Sequence, residues 1–99
     1  MNPERTSMFY YTYVLQSIKN KLYYTGFTSD LRKRFKDHNE NKNTYTKGRG
    51  PFKLIYYEAC KNLKDAAQRE KYLKSGRGKR YIKERLKRFL VRTGWIFFK

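Results

Sequence analysis

The chain contains few of the residues that build disulfides and zinc sites, and none of the long apolar runs that cross membranes. Its 99 residues include one cysteine, Cys60, and one histidine, His38. A single cysteine excludes an internal disulfide, as is usual in a reducing cytoplasm, and one Cys and one His cannot complete a standard zinc site. No apolar run approaches the roughly 18 residues of a transmembrane helix, and Met1 to Ser7 lack the apolar core of a signal peptide. We therefore expect a cytoplasmic protein with no membrane partner.

Acidic residues are also scarce. The chain has 8 Asp and Glu against 25 Lys and Arg, which gives a net charge of +17. Residues 71–99 contain 11 of these basic side chains and a single acid, Glu84. Such an excess attracts polyanions, and the C-terminal third is the densest candidate for phosphate contact. The alternative is a solvated basic surface with no partner, but an excess of this size is more typical of nucleic-acid binding.

Aromatic residues are plentiful, at 18% of the chain. Disordered chains are usually poor in aromatics, and this length suits a single small core, so we expect one folded domain. We assign residues 1–8 to a loose leader, 9–90 to the domain and 91–99 to an aromatic tail. The tail contains Trp95 to Phe98 and either packs onto the domain, forms a strand or serves as an association surface.

Two runs of aromatic and β-branched residues predict an antiparallel hairpin. They are Phe9 to Gln16 and Leu22 to Phe27, separated by a short polar turn. Because side chains alternate along a strand, Tyr24 shares a face with Gly26, and the glycine should leave room there for a ligand backbone. A third strand is predicted from Phe52 to Ala59.

Residues that typically begin a helix follow the predicted hairpin and the predicted third strand. Capping residues at 28–30 precede a helix that should end near Asn39, and Asn62 should cap a helix that ends near Lys74. We expect Gly76 and Gly78 to terminate that helix and a third helix to run from Lys79 to about Leu90. The segment 39–51 is rich in glycine and polar residues and predicts a loop.

Glu70 is the most unusual single position. In a helix it lies at the centre of a face formed by the apolar residues Leu63, Ala66, Ala67 and Leu73. A buried carboxylate must be paired, protonated or bound to a metal. One interpretation is a structural ion pair with a base such as Arg34. The interpretation that we prefer is a ligand for a hard divalent cation, because such ions choose oxygen.

Arg34 and His38 are four residues apart, so they project from one face of their helix. A guanidinium can hold a phosphate in bidentate fashion, and an imidazole can act as acid or base near neutral pH. Taken alone, the pair is ordinary for a basic helix. Tyr13 and Tyr24 taken alone are equally ordinary packing residues of strands.

The joint spacing of these residues resembles the GIY-YIG endonuclease domain. Tyr11-Thr12-Tyr13 stands where the GIY tripeptide belongs, and Tyr24-Thr25-Gly26 stands for YIG. Arg34 follows Tyr24 by ten residues and His38 follows Arg34 by four. The segment Ala67 to Lys74 is similar to the family segment that carries a metal-binding Glu. The resemblance is to small stand-alone bacterial members, which are similar to the N-terminal nuclease module of the excision-repair endonuclease.

This resemblance implies an α+β fold with a three-stranded mixed or antiparallel sheet flanked by three helices. It implies a metal-dependent DNA endonuclease of repair or recombination, located in the cytoplasm or at the nucleoid, with RNA as an alternative substrate. Glu70 would hold Mg²⁺ or Mn²⁺, and a tyrosine, with Tyr13 preferred, would accept a proton from the attacking water. The sequence does not determine which tyrosine acts as the base. Arg34 would stabilise the charged phosphate, and Tyr24 and His38 would position the water or relay its proton. The residues expected to contact flanking nucleic acid are Gly26, Lys33, Lys42, Lys47, Arg49, Arg77, Lys79 and Arg80.

The sequence also departs from the family pattern. The first tripeptide lacks the Gly and the Ile, Thr25 replaces the Ile of the second, and no Asn follows Asn62, whereas many members carry an Asn after the Glu helix. These departures favour an alternative, a non-catalytic nucleic-acid-binding module that keeps the nuclease fold. A third interpretation is a basic adaptor that binds proteins through its aromatic tail. The sequence does not determine the oligomeric state.

Overall fold

The computed structural model describes residues 8–92 as a three-stranded sheet with four helices. The strands are β1 (Tyr10–Ser17), β2 (Tyr23–Thr28) and β3 (Phe52–Cys60). The helices are α1 (Leu31–Asn39), α2 (Leu63–Lys74), α3 (Gly76–Arg85) and α4 (Lys87–Arg92). Residues 1–7 of the predicted leader and 93–99 of the predicted tail lie outside the described residues. Within residues 8–92, no helix combines the length and apolarity that crossing a membrane requires.

The sheet has β1 at its centre, in the order β2-β1-β3, and both pairings are antiparallel. This confirms the predicted α+β class and decides between the mixed and antiparallel sheets in favour of the second. The register places Tyr13 opposite Gly26 on β2 and opposite Tyr57 on β3. Directly paired residues project to the same face of a sheet, so the side chain of Tyr13 shares its face with the space over Gly26.

Each face of the sheet carries its own part of the core. On one face, Tyr13 and Leu15 pack with Phe35 of α1. On the other face, Val14 packs with Leu73 of α2 and with Ile82 of α3. Residues 12–17 of β1 are therefore all buried. Helix α1 therefore packs on one face of the sheet, and α2 and α3 pack on the other.

Two polar contacts hold α2 against the sheet. The hydroxyl of Thr12 donates to the carbonyl oxygen of Ala66 at 3.0 Å, and both residues are buried. The guanidinium Nε of Arg69 donates to a carboxylate oxygen of Glu58 on β3 at 2.8 Å. Arg69 immediately precedes Glu70, so these contacts set the position from which Glu70 extends.

The helical region differs from the prediction in two ways. Gly76 and Gly78 do not terminate α2 but lie in the first turn of α3, which Ser75 caps by accepting a hydrogen bond from the backbone N–H of Gly78. A Cβ at position 78 would collide with the backbone of Tyr72 and Leu73, so glycine is needed there for α3 to cross α2 closely. The predicted third helix is also divided, because α3 ends at Arg85 with Leu86 as its C-cap and α4 begins at Lys87.

Candidate active site

The five residues singled out in the sequence line one cleft of about 290 Å³. The cleft lies at the β2 edge of the sheet. The strands contribute Tyr13 and Tyr24, α1 contributes Arg34 and His38, and α2 contributes Glu70. The antiparallel hairpin and the two helices on opposite faces thus bring together residues that lie up to 57 positions apart in the chain.

Tyr13 is the most deeply buried of the tyrosines that line the cleft, with 2% of the residue exposed. Its Oη lies 2.8 Å from Nε2 of His38, and the two rings meet edge to face. Burial raises the pKa of the Tyr13 phenol above its ordinary value, and the charge and hydrogen bond of Arg34 act in the opposite direction. Tyr13 is therefore protonated at neutral pH, with His38 as its hydrogen-bond partner.

His38 connects Tyr13 to the loop that follows α1. Its Nδ1 lies 2.6 Å from the hydroxyl oxygen of Thr46, and both residues are buried. Burial lowers the pKa of the His38 imidazole below its ordinary value, and the positive charge of Arg34 lowers it further. The imidazole is therefore neutral at pH 7. If its Nδ1 carries the proton and donates to Thr46, its Nε2 is free to accept a hydrogen bond from Tyr13.

Tyr24 is held by residues that the sequence did not single out. Its hydroxyl accepts a hydrogen bond of 2.9 Å from the side-chain amide of Asn20, in the turn between β1 and β2. Its ring meets the rings of Tyr45 and Phe52 edge to face. The hairpin turn and the loop after α1 therefore both fix the position of this tyrosine.

Glu70 is less isolated than its helical pattern predicted. Ala66 and Leu73 of the predicted apolar face are buried, but Leu63 is 48% exposed. The side chain of Glu70 is 19% exposed and forms an ion pair of 3.2 Å with Lys74, one turn later. The base that pairs with Glu70 is thus Lys74 rather than Arg34, and the carboxylate is open to the cleft.

The chemistry of the cleft suits a metal ion held by a single carboxylate. Residues 8–92 contain no group of three or more His, Cys, Asp or Glu side chains with which to hold an ion. Glu70 is the one acidic side chain among the described residues that line the cleft. Mg²⁺ keeps several waters and commonly binds one or two carboxylates together with substrate phosphates, so this donor set fits such an ion.

Gly26 lines the cleft, and contact between Gly26 and a nucleic acid stays a prediction. The space over Gly26 is filled by the side chain of Tyr13, and a Cβ there would collide with the phenol hydroxyl and ring. The missing side chain thus makes room for Tyr13. Gly26 allows the phenol of Tyr13 to lie directly against β2.

The other predicted nucleic-acid contacts are exposed and lie outside the lining of the cleft. Lys33 pairs with Asp37 at 3.0 Å, and Lys42 pairs with Glu40 at 3.1 Å. The remaining members lie in the loop after α1 or in α3 and are Lys47, Arg49, Arg77, Lys79 and Arg80. Contact with a nucleic acid stays a prediction for all of them.

A model of the GIY-YIG catalytic domain matches residues 9–88. The chain belongs to the GIY-YIG family. A UPF0213 protein of Clostridium perfringens is 46% identical over 65 residues, which are 65% of this chain and 69% of that protein. The UPF0213 protein YazA of Bacillus subtilis is 41% identical over 71 residues, and the match covers 68% of this chain and 72% of that protein. The names of these relatives state no activity.

A solved structure is also similar to this chain. It is the solution NMR structure of a UPF0213 protein from Bacillus halodurans, with 37% sequence identity and a TM-score of 0.48. The match covers 76% of this chain and 82% of that protein. Membership of the GIY-YIG family places the chain among nuclease domains.

Proposed function

We propose that this GIY-YIG protein is a divalent-metal-dependent endonuclease that hydrolyses phosphodiester bonds in DNA. The observation that carries the proposal is a pair of hydrogen bonds, from Tyr13 to His38 and from His38 to Thr46. Tyr13 and His38 line the same cleft as Arg34 and Glu70. A proton acceptor, a phosphate-binding cation and a metal-binding carboxylate are the groups that phosphodiester hydrolysis needs.

The proton path begins at the attacking water. As the oxygen of the water bonds to phosphorus, its proton passes to the Oη of Tyr13, and the proton of Tyr13 passes to Nε2 of His38. The neutral state of His38 supports this direction, because a protonated imidazole has no acceptor to offer. The path also explains how a phenol whose pKa is raised by burial can serve as a base, since free phenolate is never required.

Arg34 acts on the phosphate. Its guanidinium lines the cleft beside Tyr13 and His38, and it stabilises the negative charge that develops as the bond to the leaving oxygen breaks. Glu70 would hold Mg²⁺ or Mn²⁺, which would polarise the scissile phosphate and stabilise the leaving oxygen. Tyr24, fixed by Asn20, would position the water.

The basic residues outside the cleft support a polyanionic substrate. The exposed bases of the loop after α1 and of α3 would contact flanking phosphates, which position a duplex without reading its sequence. Binding should therefore weaken steeply as salt rises. DNA is the proposed substrate, and RNA is tested beside it.

The test is a cleavage assay on plasmid DNA, branched DNA and RNA with Mg²⁺ or Mn²⁺, in which Glu70→Gln is compared with wild type. The matched control is Glu84→Gln, which removes the same charge from a side chain that is 77% exposed and lies outside the cleft. We expect the first variant to lose cleavage and the control to keep it. Cleavage by Glu70→Gln at the wild-type rate would exclude the proposed role of this carboxylate.

The alternative function is a non-catalytic nucleic-acid-binding module, which the absence of an Asn after Asn62 favours. Binding of DNA by wild type, with no cleavage of any of the three substrates in either metal, would establish this alternative. Binding that is insensitive to salt would instead favour a protein-binding adaptor.

A further inference from the structure

Lys74 occupies a position in the cleft that the proposed chemistry does not yet use. Its ammonium nitrogen lies 3.2 Å from Oε2 of Glu70. Both side chains line the cleft, and the lysine is the more exposed of the two, at 47% against 19% for the carboxylate. The positive charge of Lys74 therefore partly neutralises the carboxylate of Glu70, which is the proposed metal ligand. Of the two side chains, the lysine is the closer to solvent.

A second contact fixes this lysine at the rim of the cleft. Its ammonium nitrogen lies 5.4 Å from the centre of the Tyr45 ring, which is within the range of a cation–π interaction. Tyr45 is 54% exposed and also meets the ring of Tyr24. Lys74 thus connects the last turn of α2 to the loop after α1 and lies across the outer part of the cleft.

Lys74 and a divalent cation would compete for the same carboxylate. A lysine side chain has three donors, a full positive charge and a flexible four-carbon stem, so it can leave Glu70 without moving the helix. An ammonium held against the carboxylate would also repel an approaching cation. Once released, the ammonium remains in a cleft in which the proposed substrate places a phosphate.

We propose that Lys74 is a substrate-binding residue and that its ion pair with Glu70 keeps it from binding substrate until a metal ion is present. It neutralises the carboxylate until a divalent cation takes its place, and it then contacts a phosphate of the nucleic acid. Metal binding is thereby coupled to substrate binding through one side chain. This inference rests on the proposed function, because it requires Glu70 to bind a metal ion.

The first test measures metal binding without nucleic acid and without activity. Titration calorimetry with Mn²⁺ compares wild type, Lys74→Met and the control Lys71→Met, which removes the same charge from an exposed position of the same helix. Exposed ion pairs have small net energies, so we expect Lys74→Met to bind Mn²⁺ about two- to fivefold more tightly than wild type. The control should bind Mn²⁺ as wild type does.

The second test measures DNA binding by fluorescence anisotropy over a range of salt, in Ca²⁺ and in EDTA, with gels to confirm that the DNA stays intact. In Ca²⁺, the affinity of Lys74→Met for DNA should fall less steeply with salt than that of wild type. The difference between the two slopes should correspond to about one phosphate contact. In EDTA, where Lys74 stays with Glu70, the two slopes should coincide. Lys71→Met should not show this dependence on the metal.

The outcomes separate this inference from the proposed function. Equal Mn²⁺ affinities in wild type and Lys74→Met would overturn the inference and leave the metal role of Glu70 intact. A difference in salt slope that is the same in Ca²⁺ and EDTA would show that Lys74 contacts phosphate independently of the metal, which also overturns it. Absence of Mn²⁺ binding by both proteins would overturn the inference and the metal role together.

Discussion

The hydroxyl oxygen of Thr46 lies 2.6 Å from Nδ1 of His38, and neither residue has more than 3% of its surface exposed. This contact ties the loop after α1 to a residue of α1 itself and orients the imidazole whose other nitrogen faces Tyr13. A threonine in a polar loop thus has a direct influence on the residue proposed to receive the catalytic proton.

Replacing Thr46 by valine should reduce cleavage without abolishing DNA binding. Valine keeps the shape of threonine but leaves Nδ1 of His38 buried and unpaired, which costs roughly 1–3 kcal/mol of stability. Because the imidazole then loses the partner that selects its tautomer, we expect kcat to fall by about tenfold or more while KM changes little. Thr44→Val, in the exposed part of the same loop, is the control and should behave as wild type. A normal kcat in Thr46→Val would show that this contact only supports the loop.

The stability of the protein should depend on pH through His38, which is the only histidine of the chain. The folded-state pKa of His38 is lowered by burial and by Arg34, whereas the unfolded chain titrates near pH 6.5. The contribution of neutral His38 is therefore fully present above about pH 6.5 and is lost as the pH falls through the folded-state value. Urea unfolding between pH 7.5 and 5 should show a loss of stability in wild type that His38→Gln lacks. Parallel pH profiles of the two proteins would contradict this.

Much of the fold follows from local patterns in the sequence. The runs of aromatic and β-branched residues predicted the hairpin to within one residue at each strand end, and Asp30 begins α1 with a side chain that caps the N–H of Lys33. The division between α3 and α4 at Leu86 has no local signal, since the apolar residues Ile82, Leu86 and Leu90 continue across it at helical spacing. Gly78 was misassigned because a glycine near a helix end is typical of termination, whereas here it allows two helices to touch.

The site was predictable only where the family pattern covers it. The tyrosines, Arg34 and His38 are ordinary residues when taken alone, and it was their joint spacing with Glu70 that indicated one site. Thr46 and Lys74 were missed because a threonine in a loop and a lysine on a basic helix carry no distinguishing pattern. Their roles depend on how closely the loop approaches α1 and α2, which is a property of tertiary packing.

Replacing Tyr13 by phenylalanine should separate catalysis from binding. The variant keeps the ring that packs in the core but removes the hydroxyl that bonds to His38, so we expect cleavage to fall by roughly 10²-fold or more. Mn²⁺ binding and DNA binding should remain, because Glu70 and the basic surface are unchanged. Tyr57→Phe is the matched control, since Tyr57 pairs with Tyr13 across the sheet and is 53% exposed. Equal loss of cleavage in both variants would point to a general effect on the sheet.

Replacing Gly26 by alanine should destabilise the protein through Tyr13. The added Cβ would overlap the phenol ring and hydroxyl, and overpacking of this kind costs about 1–3 kcal/mol. The matched control is Gly76→Ala, where a Cβ meets nothing within 4 Å, so helix propensity should make it neutral or stabilising. Urea unfolding measures both, and in a Tyr13→Leu background the cost at position 26 should shrink, because the overlapping ring is gone. An undiminished cost in that background would show that the strand backbone, rather than Tyr13, requires the glycine.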